Sequence, residues 1–250
     1  MKKKIALLLI AALLAGVVAV ALPGEMAVPV GASPLWQAHF VFNAPPGTQP
    51  KGLTWDGTNL WMTSYMQNPG LYKLDPHTGQ VLAKFNPPTA SNNGYGGLTW
   101  DGSSLWQADG YGGGIYRLNP SNANVLQTIP SPTQYPSDLA FDGHHLWVAG
   151  YPENTLYKLN PVNGQVVATF ASLPPGQAQL FGMTFGGGFL WLSINNVLYK
   201  MDPNTGAIVD SRSLGVNRPD GLAWAQGKCA LLICSFDEAK VYGVPFRLPF

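Results

Sequence analysis

The stretch Gly52-Leu53-Thr54-Trp55-Asp56-Gly57, followed by Leu60-Trp61, Leu71-Tyr72-Lys73-Leu74-Asp75-Pro76, Thr78-Gly79 and Val81-Leu82-Ala83-Lys84-Phe85, decides the fold because it recurs. It returns at Gly97-Leu98-Thr99-Trp100-Asp101-Gly102 with Leu105-Trp106 and Ile115-Tyr116-Arg117-Leu118-Asn119-Pro120. A third copy runs Asp138-Leu139-Ala140-Phe141-Asp142-Gly143, Leu146-Trp147 and Leu156-Tyr157-Lys158-Leu159-Asn160-Pro161. A fourth begins at Gly182-Met183-Thr184-Phe185 and carries Leu190-Trp191 and Leu198-Tyr199-Lys200-Met201-Asp202-Pro203; a fifth, degenerate, begins at Gly221-Leu222-Ala223-Trp224. The starts lie 45, 41, 44 and 39 residues apart.

Each copy has four short apolar segments separated by turn residues. Asp-Gly after the first suits a tight hairpin, because glycine tolerates positive φ. Asp/Asn-Pro-x-x-Gly after the third suits a longer turn, with proline presetting φ and Asp or Asn accepting a backbone hydrogen bond. Four strands in about 42 residues is the period of a β-propeller blade. The spacing therefore predicts an all-β, five-bladed β-propeller with four-stranded blades. The fifth copy has three strands, Gly221–Trp224, Ala230–Ile233 and Lys240–Pro245, and little chain left for another. The N-terminal segment Gln37–Phe42, before Pro45-Pro46-Gly47, matches the fourth-strand pattern Val166–Phe170 before Pro174-Pro175-Gly176. It is expected to complete the last blade and latch the ring. Trp61, Trp106, Trp147 and Trp191 hold one repeat position, and Tyr72, Tyr116, Tyr157 and Tyr199 another. A ligand platform would need only one such set, so recurrence favours filling of the wedge between blades.

Composition agrees. Charged residues are 11% of the 250, and Gly 29 with Pro 22 excludes a helical bundle. Eight Trp, 10 Tyr and 11 Phe exclude a disordered chain, and a net charge of +1 argues against a nucleic-acid partner. Lys2-Lys3-Lys4, the apolar run Ile5–Leu22 and Ala19-Val20-Ala21 read as a secretory signal peptide over residues 1–21, then a linker over 22–35 and one propeller domain over 36–250. A secreted or periplasmic location follows, with membrane anchoring through residues 5–22 if that segment is uncleaved. Cys229 and Cys234, five apart on one expected strand, would place their Cα atoms about 16 Å apart, too far for a disulfide.

The strings "G-L-T-W-D-G-x-x-L-W" and "L-Y-K-L-D-P-x-T-G-x-V" resemble those of a superfamily of secreted propellers. It includes NHL-repeat proteins, virginiamycin-lyase-like proteins, gluconolactonases and glutaminyl cyclotransferases. The resemblance spans residues 36–250, and the strings build the fold rather than an activity.

In such propellers the loops joining fourth to first and second to third strands gather at one mouth. The first kind includes Asn92–Tyr95, Gln134–Pro136, Gln177–Gln179 and Asn217–Asp220; the second includes Ser64–Gln67, Asp109–Tyr111, Tyr151–Glu153, Asn195-Asn196 and Phe236–Glu238. From these, Tyr65, Asp109, Tyr111, Tyr151, Glu153, Asn195, Arg218 and Asp237 are candidate ligand-binding residues on a polar, aromatic surface. The alternative is that they are ordinary solvated loop residues. His39 lies in the latch strand, and His77, His144 and His145 are predicted at the opposite mouth, so the histidine base that the resemblance to lyases implies has no candidate. Asn217-Arg218-Pro219-Asp220-Gly221-Leu222 resembles the "P-D-G" entry of gluconolactonases, which implies Asp220 as a metal ligand, with Asp138 as a second and calcium as the cation. The other reading pairs these carboxylates with backbone N–H groups, Lys51 or Arg218. Gly110-Tyr111-Gly112 is similar to the cyclotransferase turn, but Asp109 stands where that family carries glutamate. The expected function is a non-catalytic binding module for an extracellular protein, peptide or glycan, a monomer with no cofactor. The alternative is a metal-dependent, lactonase-like hydrolase.

Overall fold

The computed structural model describes residues 38–65, 67–86, 95–170, 180–226 and 230–245. The predicted signal segment, the linker, Met66, Asn92–Gly94, Gln177–Gln179 and Cys229 lie outside them. The first strand, β1 (His39–Asn43), is followed by blade 1, β2 (Pro50–Trp55), β3 (Leu60–Ser64), β4 (Gly70–Leu74) and β5 (Val81–Phe85). Blade 2 is β6 (Tyr95–Trp100), β7 (Leu105–Asp109), β8 (Gly114–Leu118) and β9 (Val125–Pro130). Blade 3 is β10 (Tyr135–Phe141), β11 (Leu146–Tyr151), β12 (Leu156–Leu159) and β13 (Val166–Phe170). Blade 4 is β14 (Leu180–Gly186), β15 (Phe189–Ile194), β16 (Val197–Met201) and β17 (Ile208–Ser213). The last three strands are β18 (Pro219–Ala225), β19 (Ala230–Ser235) and β20 (Lys240–Pro245). They make blade 5 in the order β1-β20-β19-β18, so the N-terminal strand closes the ring as the repeat pattern requires. The chain is a five-bladed β-propeller, and each inner strand packs on the next: β2 on β6, β6 on β10, β10 on β14, β14 on β18, and β18 on β2.

The inner and middle strands are the buried ones. All five residues of β3 and of β7 are buried, whereas β5 and β13 are exposed along most of their length.

The recurring tryptophans fill the wedges, and they do more than fill. Trp61, Trp106 and Trp147 are fully buried and donate their indole N–H to the hairpin aspartates Asp56, Asp101 and Asp142 at 2.7, 2.9 and 2.9 Å. Each of these carboxylates also accepts two backbone N–H bonds across its own turn. The residue directly across the sheet from each tryptophan is Lys73, Arg117 or Lys158, whose cation lies over the indole ring at 5.3, 5.8 and 4.9 Å. In blade 4 Gly186 replaces the aspartate, and Trp191 donates to its carbonyl at 3.0 Å. A side chain at position 186 would collide with the ring of Trp224, which stacks on Trp191.

Candidate functional site

Every inner strand has a register irregularity at the same place in the repeat. The residues there are Lys51, Gly96, Ser137, Phe181 and Asp220, with no resemblance to one another. The next column is Gly52, Gly97, Asp138, Gly182 and Gly221. Its glycines are required by close approach of neighbouring backbone. A Cβ on Gly52 would stand 2.7 Å from Leu98 N, and one on Gly221 would stand 2.8 Å from Leu53 N.

Asp138 is the exception in that column, and it uses the crowding. Its Oδ1 accepts the backbone N–H of Leu98 at 3.3 Å and of Leu139 at 2.9 Å, and its Oδ2 accepts that of Met183 at 2.5 Å. One buried carboxylate thus ties the inner strands of blades 2, 3 and 4. Burial raises its pKa well above the ordinary carboxylate value, and the three N–H groups and Lys51 offset part of that.

Asp220 is also fully buried. Its Oδ2 accepts from Lys51 Nζ at 3.1 Å and its Oδ1 from Arg218 Nε at 3.2 Å. Burial raises its pKa, against the pull of Lys51 and then Arg218. Both oxygens therefore already face cations, and a calcium ion at Asp220 would have to displace them. Among the described residues no three His, Cys, Asp or Glu side chains converge on one point. Cys234, also free and buried, lies against the Lys51 carbonyl at 4.0 Å, and burial followed by the charge of Asp220 pushes its thiol pKa up.

Above this floor the loop mouth opens into a cup of about 480 Å³, lined by Lys51, Tyr65, Tyr111, Tyr135, Ser137, Tyr151, Arg218 and Phe236, among others. Its wall is a continuous run of rings. Phe236 meets Tyr65 at 6.2 Å, Tyr65 stacks on Tyr111 at 6.2 Å, and Tyr111 meets Tyr135 edge-on at 6.1 Å. The hydroxyls of Tyr65 and Tyr111 are hydrogen-bonded to each other. Burial, then that bond, pushes the Tyr65 phenol up to about 12. The Arg218 guanidinium lies 3.7 Å from the centre of Phe236 and 5.5 Å from that of Phe181.

Of the eight predicted mouth residues, Tyr65, Tyr111, Tyr151 and Arg218 line the cup. Asp109 lies behind it, fully buried, accepting the N–H of Tyr111 and Gly112 at 3.1 and 2.9 Å, so it shapes the turn that presents Tyr111. Glu153 folds back to accept the hydroxyl of Thr133. Asn195 takes the left-handed position of the β15–β16 turn (φ 53°), outside the cup lining. Asp237 stands exposed with a carboxylate oxygen 3.8 Å from an Arg218 terminal nitrogen. Lys51, Tyr135 and Phe236 also line the cup and were not singled out as mouth binders. Lys51 stands in the irregular column Lys51, Gly96, Ser137, Phe181, Asp220, whereas Tyr135 and Phe236 belong to the loops Gln134–Pro136 and Phe236–Glu238 that the sequence assigns to this mouth. The predicted placement of His144 and His145 in the β10–β11 hairpin holds, where His145 Nδ1 approaches Asp142 at 3.5 Å.

Neither the comparison with protein families nor that with curated proteins gives a match. Among solved structures, the fold is similar to the glutaminyl cyclase of Myxococcus xanthus, with a TM-score of 0.70 at 15% identity over 83% of this chain and 95% of that one. It is more loosely similar to BamB from Moraxella catarrhalis, with a TM-score of 0.47 at 13% identity over 83% of this chain and 61% of that one. The first likeness is one of fold; the second is too loose to carry an argument. Among the described residues no helix is long and apolar enough to cross a membrane.

Proposed function

We propose that the chain is a secreted or periplasmic binding module that takes a glycan or peptide ligand, free or on a protein, into the aromatic cup at the loop mouth without transforming it. The location rests on the basic, apolar and small-residue pattern of residues 1–21. The binding reading rests on one observation above the others. The wall Phe236–Tyr65–Tyr111–Tyr135 is continuous and exposes Tyr111 at 54%. Concave sites rich in rings with a few convergent polar groups are where ligands bind. The acids nearby are committed to Lys51 and Arg218, to backbone N–H groups, or to Thr133.

The likeness to a glutaminyl cyclase favours a second reading, catalysis in the same cup, and the P-D-G string a third, lactone hydrolysis at Asp220. A glycan and peptide array, probed with the secreted chain and with Tyr111→Ala, tests the first. Capture that the variant loses supports it; capture that the variant keeps contradicts it. Ammonia release from a peptide with N-terminal glutamine, or calcium-dependent lactone opening, is expected to be absent. Turnover abolished by Asp109→Asn or Asp220→Asn would replace the binding reading with an enzymatic one.

A further inference from the structure

We propose that the cup contains a carboxylate subsite, formed by Lys51 and Arg218, and that its ligand is a hexuronate unit of an acidic glycan. This rests on the cup being the binding site and adds what it selects. Two cations converge there on one buried carboxylate, Asp220, while the second buried carboxylate, Asp138, which the Lys51 charge also reaches, is engaged by three backbone N–H groups. Asp220 takes one donor from each. Among the described residues Asp220 is the one hydrogen-bond partner of the Lys51 ammonium, whose other hydrogens are left for the cup that Lys51 lines. Asp237, the remaining acid near Arg218, is 57% exposed and at 3.8 Å too far for a hydrogen bond, a pairing of little strength in water.

Arg218 is held in place at some expense. Its φ is 43°, a left-handed backbone that a long side chain rarely adopts, and it precedes Pro219, which disfavours anything but extended backbone. The guanidinium is then fixed between Phe181 and Phe236 and by Asp220. A planar cation immobilised in this way offers its outer edge to a carboxylate with little further entropy to lose.

The rest of the cup favours a sugar ring over a peptide as the carrier. A peptide that binds by strand addition needs a free sheet edge. Here the outer edges belong to β1, β5, β9, β13 and β17, away from the channel, and the inner edges are crowded by the next inner strand. What the cup presents instead is ring faces with hydroxyls, from Tyr65, Tyr111, Tyr135, Tyr151 and Ser137. A pyranose has apolar C–H faces for the rings and hydroxyls for those oxygens.

The test is calorimetric titration of the secreted chain at physiological salt. The probes are trigalacturonate, its methyl ester, and a tripeptide as the free acid and as the amide. Trigalacturonate is expected to bind at least tenfold more tightly than its ester. Lys51→Met and Arg218→Gln are each expected to erase that difference, and Lys51→Arg to keep it. Should Lys51→Met fail to fold, Arg218→Gln at the exposed rim decides. Equal binding of acid and ester would leave the cup as a site and refute the carboxylate subsite. Preference for the tripeptide acid over its amide, with no uronate bound, would keep the subsite and overturn the glycan assignment. Binding of none of the four would overturn this proposal; a glycan or peptide found on the array and lost in Tyr111→Ala would still uphold the cup.

Discussion

The two mouths of this propeller are built by opposite rules. At the hairpin mouth one arrangement is repeated: an aspartate caps its own turn and accepts an indole N–H from the middle strand, with a cation over the indole in blades 1, 2 and 3. At the loop mouth the inner-strand column Lys51, Gly96, Ser137, Phe181 and Asp220 differs in every blade, and it brings Lys51 and Asp220 together with Arg218 and Phe236 once. The aspartates at the two ends carry opposite electrostatics. Burial alone would raise the carboxyls of Asp56, Asp101 and Asp142, but their hydrogen bonds from the turn and from tryptophan hold them below the ordinary value. Asp138 and Asp220 are raised, because burial outweighs their partners. Repetition marks what the ring needs to close; its interruption marks what can hold a ligand.

The comparison breaks most visibly at the tryptophans. Trp147→Ala empties a fully buried wedge and should cost about 3 to 5 kcal/mol in denaturant unfolding, without touching the cup. Asp138→Ala leaves the N–H groups of Leu98, Leu139 and Met183 without their acceptor, and a loss of about 3 kcal/mol is expected from the same measurement. An unchanged midpoint would mean that the three strands are not tied through this carboxylate. Asp142→Ala removes the acceptor for Trp147 and for its turn and should cost about 2 kcal/mol. The smallest effect on stability belongs to Tyr111→Ala, which should stay within about 1 kcal/mol because the ring is exposed. It is the one of the four expected to abolish ligand capture.

Acid titration sharpens the same contrast. The folded pKa of Asp142 lies below 3.8, so its contribution is present above that value and lost as pH falls through the folded pKa. Asp138 has a folded pKa above 3.8, so between the two values the folded chain binds more protons than the unfolded one, and stability declines as pH rises through that window. Unfolding midpoints from pH 2 to 6 should show Asp142→Asn flattening the acid side. An identical slope in the variant would remove Asp142 from the acid response.

Much of the fold was legible because the repeats state it: strand number, turn chemistry and the latch all follow from residue spacing. The role of the hairpin aspartates was less so. Asp-Gly reads as a turn, and only the hairpin brings Asp56 against Trp61 five residues on. The site was half legible. Tyr65, Tyr111, Tyr151 and Arg218 follow from counting loops to one mouth. Lys51 depends on the irregular register of its inner strand, which local pattern does not reveal, whereas Tyr135 and Phe236 stand in loops counted to that mouth but among some neighbours that do not line the cup. Asp109 and Glu153 have the right address, but each turns to a neighbouring backbone or hydroxyl donor rather than to the cup.

The most direct test of the account is amide exchange of the propeller with and without the tightest glycan or peptide from the array. The prediction is slowed exchange at residues 109–112, 135–137, 218–220 and 236, with the hairpins at 56–59, 101–104 and 142–145 unchanged. Protection at those hairpins, with the loop mouth unaffected, would contradict it.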